Sequence, residues 1–232
     1  MLIDRFYFSR SFPENEITNC WNQGFHVMSA AYGNGQWVMA AASESDFDGQ
    51  QWNTDGVFPT DAINEGWKSG KDIIWISYGN GSWVVFMSGN TGYGDQVWRS
   101  SSRFPEKEIT QGLKDGYHVT NLAYGSDRWI VVLTKDTGFT SQVTASYPEF
   151  PKNAIQKGWD EGYDITVLTY GGGKWGLTLS RGSGYGRQQW ITDSNFPINE
   201  INEKIREGYS ITHITYGVGM WAVVLSEIDA GD

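Results

Sequence analysis

The dipeptide Phe-Pro recurs five times in this chain, always at an interval of 46 residues. The five copies are Phe12-Pro13, Phe58-Pro59, Phe104-Pro105, Phe150-Pro151 and Phe196-Pro197. The same period carries a Tyr-Gly pair and, five residues after each Tyr, a tryptophan: Trp37, Trp83, Trp129, Trp175 and Trp221. Five such periods fill the 232-residue chain almost completely, without an insertion or deletion. The sequence therefore predicts five equal structural units.

Each unit is too small to bury an apolar face alone, so the units must pack on one another. We therefore predict one repeat domain over residues 1–232, with repeats that start near residues 4, 50, 96, 142 and 188. Aromatic residues make up 15% of the chain and charged residues only 19%. This composition excludes a disordered chain and allows a large shared core.

Within a unit, the residues after Phe-Pro predict a short helix. In the first copy, Pro13 stands at the expected first helical position, Ile17 and Trp21 are spaced by four, and Gly24 follows the end. A strand, a tight turn such as Gly79-Asn80-Gly81 and an apolar strand such as 83–87 come next. A further strand, for example 96–100, leads into the next Phe-Pro. The predicted order is strand–helix–strand–strand.

The phase of the repeat predicts how the chain ends meet. Residues 4–10 align with 96–102, so the chain opens on the strand that precedes a helix, and it stops just after the apolar strand 221–226. We expect a five-bladed propeller-like toroid, an α/β propeller with three strands and one helix per unit, in which the N-terminal strand completes the last blade and closes the ring. An open solenoid is the alternative, but it needs polar end caps that the sequence does not contain.

Charge and cysteine content exclude several function classes. The net charge is −10, whereas a nucleic-acid surface needs clustered Lys and Arg, so we expect no nucleic-acid partner. The single cysteine, Cys20, cannot form an intramolecular disulfide, and glycine occupies its position in three other repeats, which favours an incidental thiol over a nucleophile. No signal peptide or long apolar run is visible, so we expect a cytoplasmic protein with no membrane partner. We expect no cofactor.

The pattern of one repeat is carried by Gln96, Ser100, Phe104, Pro105, Ile109, Gly116, Tyr117, Val119, Thr120, Trp129, Val131, Val132, Thr134, Gly138, Phe139 and Gln142. With these residues the repeat resembles the region that follows the kinase domain in plant casein-kinase-I-like kinases. The resemblance implies an accessory, non-catalytic module of unknown ligand. No kinase motif occurs in the chain, so kinase activity does not carry over.

One register position is polar in all five repeats. His26, Asp72, His118, Asp164 and Ser210 open the second strand of each unit. Near a five-fold axis, alternating His and Asp residues can form a polar ring that holds a divalent cation or a polar ligand. Three strands and one helix per unit is also the order found in five-fold α/β propellers, which include guanidine-modifying enzymes, and this likeness concerns the fold alone. The alternative is a solvated ring of strand-end residues. A second position varies freely, as Ser29, Trp75, Asn121, Val167 and His213, and is expected on solvent or on a ligand-facing surface.

A loop with an aromatic residue, a glutamine and often a tryptophan recurs before each helix. Its candidate ligand residues are Phe47, Gln50, Trp52, Tyr93, Gln96, Trp98, Phe139, Gln142, Tyr185, Gln188 and Trp190. Aromatic faces beside an amide can stack on a sugar ring and bond its hydroxyl groups. Alternatively, the glutamine ties the loop backbone together and the tryptophan packs between blades.

These observations favour a binding module over an enzyme. The first hypothesis is a lectin-like or small-ligand binder that uses the aromatic and glutamine loops. The second is a protein–protein interaction scaffold, as the resemblance implies. The third is an enzyme or metal site around His26, Asp72, His118 and Asp164.

Overall fold

The computed structural model describes residues 5–43 and 45–228. In these residues the order strand–helix–strand–strand occurs five times, as the sequence predicts. We number the repeats 1 to 5 along the chain. No helix of the described part is long and apolar enough to cross a membrane.

The helices have nine residues each and begin directly after Phe-Pro. They are α1 (Glu14–Asn22), α2 (Thr60–Lys68), α3 (Glu106–Lys114), α4 (Lys152–Asp160) and α5 (Ile198–Arg206). Each proline lies one residue before its helix, at the centre of an inverse γ-turn. At Pro13, φ is −84° and ψ is 57°, and the Glu14 N–H donates to the Phe12 carbonyl at 3.0 Å. The Phe-Pro motif is therefore the turn that starts the helix.

Three strands of each repeat form one antiparallel sheet. The first strands are β1 (Arg5–Ser9), β4 (Asp48–Asp55), β7 (Gln96–Ser101), β10 (Ser141–Tyr147) and β13 (Tyr185–Asp193). The second strands are β2 (His26–Gly33), β5 (Asp72–Gly79), β8 (His118–Gly125), β11 (Asp164–Gly171) and β14 (Tyr209–Gly217). The third strands are β3 (Gln36–Ala42), β6 (Ser82–Gly89), β9 (Arg128–Thr134), β12 (Lys174–Arg181) and β15 (Met220–Ile228).

The third strand is central in every sheet, and the first and second strands are its edges. This corrects one expectation about the chain ends. The N-terminal strand β1 pairs with β3 of its own repeat, with Tyr7 opposite Met39, and does not complete the last sheet. That sheet is built from β13, β15 and β14. Each repeat therefore closes its own sheet, because all three strands lie within one 46-residue period.

The three recurring aromatic residues of a repeat meet in one cluster. In repeat 2, the Trp83 ring lies between Phe58 and Tyr78, with ring centroids 5.2 and 5.1 Å away. The other four repeats have the same arrangement, and all five tryptophans are buried. The Phe-Pro, Tyr-Gly and Trp signals thus specify the core.

The described residues form two compact units, Phe47–Ser183 with repeats 2 to 4, and the residues up to Asp46 together with those from Gly184 onward. Within both units, the tyrosine of one second strand packs on the glycine of a neighbouring one. A Cβ added to Gly125 would lie 2.2 Å from Tyr78, and one added to Gly171 would lie 2.0 Å from Tyr124. In the other unit, Tyr216 of repeat 5 packs in the same way on Gly33 of repeat 1.

A bulge in each second strand is followed by one more buried position. It is the freely varying position of the sequence, and in all five repeats it is buried: Ser29, Trp75, Asn121, Val167 and His213. The expectation of a solvent- or ligand-facing position is therefore wrong. Asn121 shows the reason, because its side chain bonds the backbone of β5, accepting from Ile76 N–H and donating to the Ile74 carbonyl, both at 3.2 Å.

Candidate functional site

The space between the helix and the first strand of one repeat, which we call the helix groove, is open in repeat 3. It encloses about 430 Å³. Val97 of β7, Gly112 of α3 and Leu133 of β9 form its apolar floor, with Tyr117 beside them. The remaining lining residues are charged or polar: Arg99, Lys107, Glu108, Gln111 and Asp115. A volume of this size suits a side chain or a small ligand.

Only some of the polar side chains on the rim of the repeat 3 groove form hydrogen bonds or ion pairs within the protein. Gln111 Nε2 donates to both carboxylate oxygens of Asp115 at 3.0 Å. The Lys135 ammonium lies 4.7 Å from the centroid of the Tyr117 ring, within cation–π distance. Lys107 and Glu108 make no ion pair with any described residue. The rim therefore offers charged groups to a ligand.

The corresponding groove of repeat 2 is filled by its own side chains. Gln51 stands where repeat 3 has Val97, and Lys71 stands where it has Tyr117. The Lys71 ammonium donates to Gln51 Oε1 at 2.8 Å, and Gln51 Nε2 reaches the Met87 sulfur at 3.9 Å. The same amide nitrogen lies 3.2 Å from the position of a Cβ on Gly66 of α2. Two long polar side chains thus occupy the space that repeat 3 leaves open.

Repeats 1 and 5 also place a long polar side chain at this position. In repeat 5, Gln189 Nε2 donates to the Tyr209 hydroxyl at 3.0 Å. In repeat 1, the Arg5 guanidinium lies 4.0 Å from the Phe25 ring centroid and donates to Gln23 Oε1 at 2.5 Å.

Repeat 4 has valine at this position, as repeat 3 does. Its valine, Val143, is 52% exposed, and beside it Arg181 stacks on Tyr163 at 4.5 Å. The Arg181 guanidinium also donates to the Glu161 carbonyl at 2.6 Å, so in repeat 4 a long polar side chain lies at the end of the groove although valine stands at this position.

A second cavity of about 250 Å³ lies on the opposite face of β7, between repeats 2 and 3. Its walls are mainly aromatic, because Trp98 packs on Phe58 at 4.9 Å and Phe58 packs on Trp83. Val57, which is 70% exposed, stands at its rim. The polar lining residues are Ser100, Ser126 and Arg128. The Ser100 hydroxyl is buried and has no hydrogen-bond partner among the described residues.

Two of the recurring glutamines, Gln96 and Gln142, connect neighbouring sheets. Gln96 Oε1 accepts from the Ile73 N–H at 2.7 Å and from Trp67 Nε1 at 3.2 Å, and its Nε2 donates to the Ile73 carbonyl and to Thr134. These four bonds use every donor and acceptor of the amide. Gln142 bonds Val119 N–H and C=O in the same way, at 2.7 and 2.9 Å.

Residues 3–79 and 76–172 both match a domain of unknown function, DUF7477, and together these matches span most of the chain. The chain belongs to the DUF7477 family. No curated protein matches it.

In this DUF7477 chain, the predicted loop residues do not form one kind of pocket. Gln50, Gln96 and Gln188 are buried, and Gln188 donates to the Ser226 hydroxyl at 2.9 Å. Gln142 is half-buried, as are the loop aromatic residues Phe47, Trp52, Tyr93, Trp98, Phe139, Tyr185 and Trp190. Of the predicted ligand residues, only Trp98 lines one of the two cavities described above.

The predicted polar ring residues bond hydroxyl groups of their own repeats. Thr91 donates to Asp72, Thr137 lies 3.1 Å from His118 Nδ1, and Ser183 donates to Asp164. In repeat 1, Ser45 lies 2.8 Å from His26 Nδ1. These bonds hold the loop that follows the third strand. Among the described residues, no group of three or more His, Cys, Asp or Glu side chains is placed to hold a metal ion.

Burial controls the ionisation of the groups at these positions. Burial raises the pKa of Asp72, an effect that the Thr91 hydrogen bond partly offsets, and burial lowers the pKa of His118. Burial likewise raises the pKa of Tyr93, with a smaller contribution from the Asp72 charge. Burial also raises the pKa of the Cys20 thiol in α1, which is the opposite of what a nucleophile needs.

Sequence reasoning missed the helix groove. The signal that could have found it is one register position, which has a long polar side chain in three repeats and valine in two. Its residues are Arg5, Gln51, Val97, Val143 and Gln189. The two valines read as ordinary strand residues, because nothing in a linear sequence indicates that a long side chain at this position would fill a space.

Proposed function

We propose that this chain is a non-catalytic module that binds a protein partner through the helix groove of repeat 3. The observation that carries the proposal is the open cavity of about 430 Å³ at Val97, at a position where repeat 2 fills the same space with Gln51 and Lys71. A groove with an apolar floor and a charged rim suits an apolar side chain of a peptide flanked by polar groups.

We further propose that the five sheets close into a five-bladed ring. The support is the contact between the first and last repeats, in which Tyr216 packs on Gly33 as Tyr78 packs on Gly125. A closed ring places the helix of every repeat on a common scaffold. It also removes the need for end caps, which an open array would require.

The lectin-like alternative has weaker support from the same contacts. A sugar hydroxyl that bonds the Gln96 amide must displace a bond to the Ile73 backbone, to Trp67 or to Thr134. Leaving a buried backbone group unpaired costs about 1–3 kcal/mol, which opposes such binding. We therefore favour the interaction scaffold, the role that the resemblance to kinase-attached repeats also implies.

Selection from a random linear dodecapeptide library on the wild-type protein tests this function, with a glycan array probed in parallel. We expect enriched peptides whose binding is lost in Val97→Gln, because the longer side chain fills the groove as Gln51 does in repeat 2. The matched control is Gln51→Val, which should retain the peptides. Glycan binding without peptide enrichment, or peptides that bind Val97→Gln equally well, would contradict the proposal.

A further inference from the structure

The edge of β7 that faces away from β9 pairs with no strand of the described residues. In its three-stranded sheet β7 is an edge strand and pairs with β9, with Val97 opposite Leu133. Just before β7, the Lys135 N–H donates to the Asp95 carbonyl at 2.9 Å. Because bonded and non-bonded pairs alternate in an antiparallel ladder, Val97 and Arg99 bond β9 while the N–H and C=O groups of Trp98 and Ser100 face away from it.

A hydrogen bond of Arg99 supports this assignment. The Arg99 guanidinium turns back and donates to the Trp98 carbonyl at 2.9 Å. This carbonyl therefore points away from β9, toward the unpaired edge of β7. A charged side chain over an edge is a common protection against unwanted strand pairing. The exposed Arg99 guanidinium can instead form an ion pair with the carboxylate of an incoming peptide, which would release the Trp98 carbonyl.

The two cavities lie on opposite faces of this one strand. Val97 and Arg99 line the helix groove, and Trp98 and Ser100 line the aromatic cavity. An added strand alternates its side chains between the same two faces. It would therefore direct successive side chains toward a cavity of about 430 Å³ and one of about 250 Å³. Backbone pairing combined with pockets for alternate side chains is the arrangement used in strand addition.

Charge indicates the chemistry of the partner. Residues 96–187, which span repeats 3 and 4, carry eleven of the seventeen Lys and Arg residues but nine of the twenty-seven Asp and Glu. Arg99, Lys107 and Arg128 line the two cavities. Of the acidic lining residues, Asp115 is engaged by Gln111, which leaves Glu108. The surroundings of β7 thus favour an acidic ligand in a chain that is acidic elsewhere.

We propose that the partner is an extended acidic peptide segment that adds to β7 as a fourth strand and places alternate side chains in the two cavities. This inference rests on the proposed function of the repeat 3 groove. It adds the backbone conformation of the partner, its charge and the edge to which it binds.

Amide hydrogen exchange of the full chain, followed by NMR with and without an enriched dodecapeptide, tests strand addition. We expect exchange at Trp98 and Ser100 to slow by about tenfold or more, because their N–H groups become bonded, while Val97 and Arg99 change little. Replacing single peptide amides by N-methyl amides should weaken binding at every second position only. Protection of the β10 amides instead, or loss of binding without a two-residue period, would overturn the assignment to β7.

The charge of the partner is tested with the same peptide. We expect a fall in affinity as salt rises, and a loss of about tenfold when the acidic residues of the peptide become amides. Displacement of the peptide by a single-stranded oligonucleotide at equal concentration would instead assign the edge to a nucleic acid. If no peptide is enriched, the proposed function fails together with this inference. An enriched peptide that requires Val97 but protects neither Trp98 nor Ser100 overturns strand addition alone.

Discussion

The second strands and the helix grooves of this chain differ in how far their contacts are repeated from one unit to the next. At the Tyr-Gly positions of the second strands, the same pair of residues makes the same contact wherever it is described, as with Tyr78 on Gly125 and Tyr124 on Gly171. In the helix grooves, one position changes from Gln51 to Val97 between adjacent repeats, and the space changes from filled to open.

The difference separates folding from binding. A contact that recurs without change leaves no free volume and no unpaired amide, so it has little to offer a ligand. A position where one repeat lacks the side chain that fills its neighbour leaves volume without disturbing the core. We therefore expect substitutions along the second strands to affect stability and substitutions in the groove to affect binding.

The largest effect is expected for Gly125→Ala. The new Cβ would lie 2.2 Å from Tyr78, and the overlap should lower the free energy of unfolding by about 3 kcal/mol. The control is Gly116→Ala, after α3, where φ is +81°. No neighbouring atom lies within 4 Å of the added Cβ there, so only backbone strain of about 1 kcal/mol is expected. Urea unfolding of both variants measures the difference, and equal losses would remove the distinction between recurring contacts and ordinary glycine positions.

The next largest effect is expected for Gln96→Leu. The change leaves the Ile73 backbone groups unpaired in a buried site and should cost about 2 kcal/mol. The matched variant is Gln51→Val, which copies repeat 3 into the groove of repeat 2 and should cost less than about 0.5 kcal/mol. Thermal and urea unfolding report both values, and a larger loss from Gln51→Val would mean that groove residues carry the fold as well.

A smaller effect of opposite sign is expected at the turn between β14 and β15. Val218 has φ of +52° and is 66% exposed, whereas the same turn position is Asn34, Asn80, Ser126 or Gly172 elsewhere. A β-branched residue is strained in the left-handed region, so Val218→Asn should raise stability by about 1 kcal/mol. Val57→Asn, at another exposed valine, is the control and should change little. A loss of stability in Val218→Asn would show that this valine makes a stabilising contact.

The smallest effect is expected at the start of β5. Burial raises the pKa of Asp72, so the folded state binds more protons than the unfolded state and stability falls as pH rises through that window. Asp72→Asn should therefore stabilise the protein at neutral pH, and the gain should vanish when the carboxyl group is protonated in both states. Exposed Asp95 provides the control, as Asp95→Asn. A pH profile of unfolding that is unchanged by Asp72→Asn would contradict the assigned cause.

Much of the fold follows from the sequence, because its strongest signals are packing signals. The recurring Phe-Pro, Tyr-Gly and Trp predict the element order and mark the aromatic cluster of each repeat. The pairing partner of β1 could not be predicted from phase alone. Residues 4–10 align with a first strand in either topology, and only the register of Tyr7 with Met39 shows that β1 stays in its own sheet.

The candidate site was less predictable, because recurrence indicates that a residue matters without indicating which way it faces. Gln96 recurs because it joins two sheets, an alternative that the sequence left open beside ligand binding. Val97 lies next to it and was not singled out. Val97 matters because its short side chain leaves the helix groove open. This groove can be recognised only when α3 and β7 are placed side by side.

The most direct test is to transplant the filled groove of repeat 2 into repeat 3, as Val97→Gln with Tyr117→Lys, and to measure two quantities on that variant. They are the free energy of unfolding by urea and the affinity for an enriched dodecapeptide by calorimetry. We expect a free energy of unfolding within about 0.5 kcal/mol of the wild-type value and an affinity at least about tenfold lower. Unchanged affinity, or a loss of affinity that is matched by a loss of stability, would contradict the separation of binding from folding.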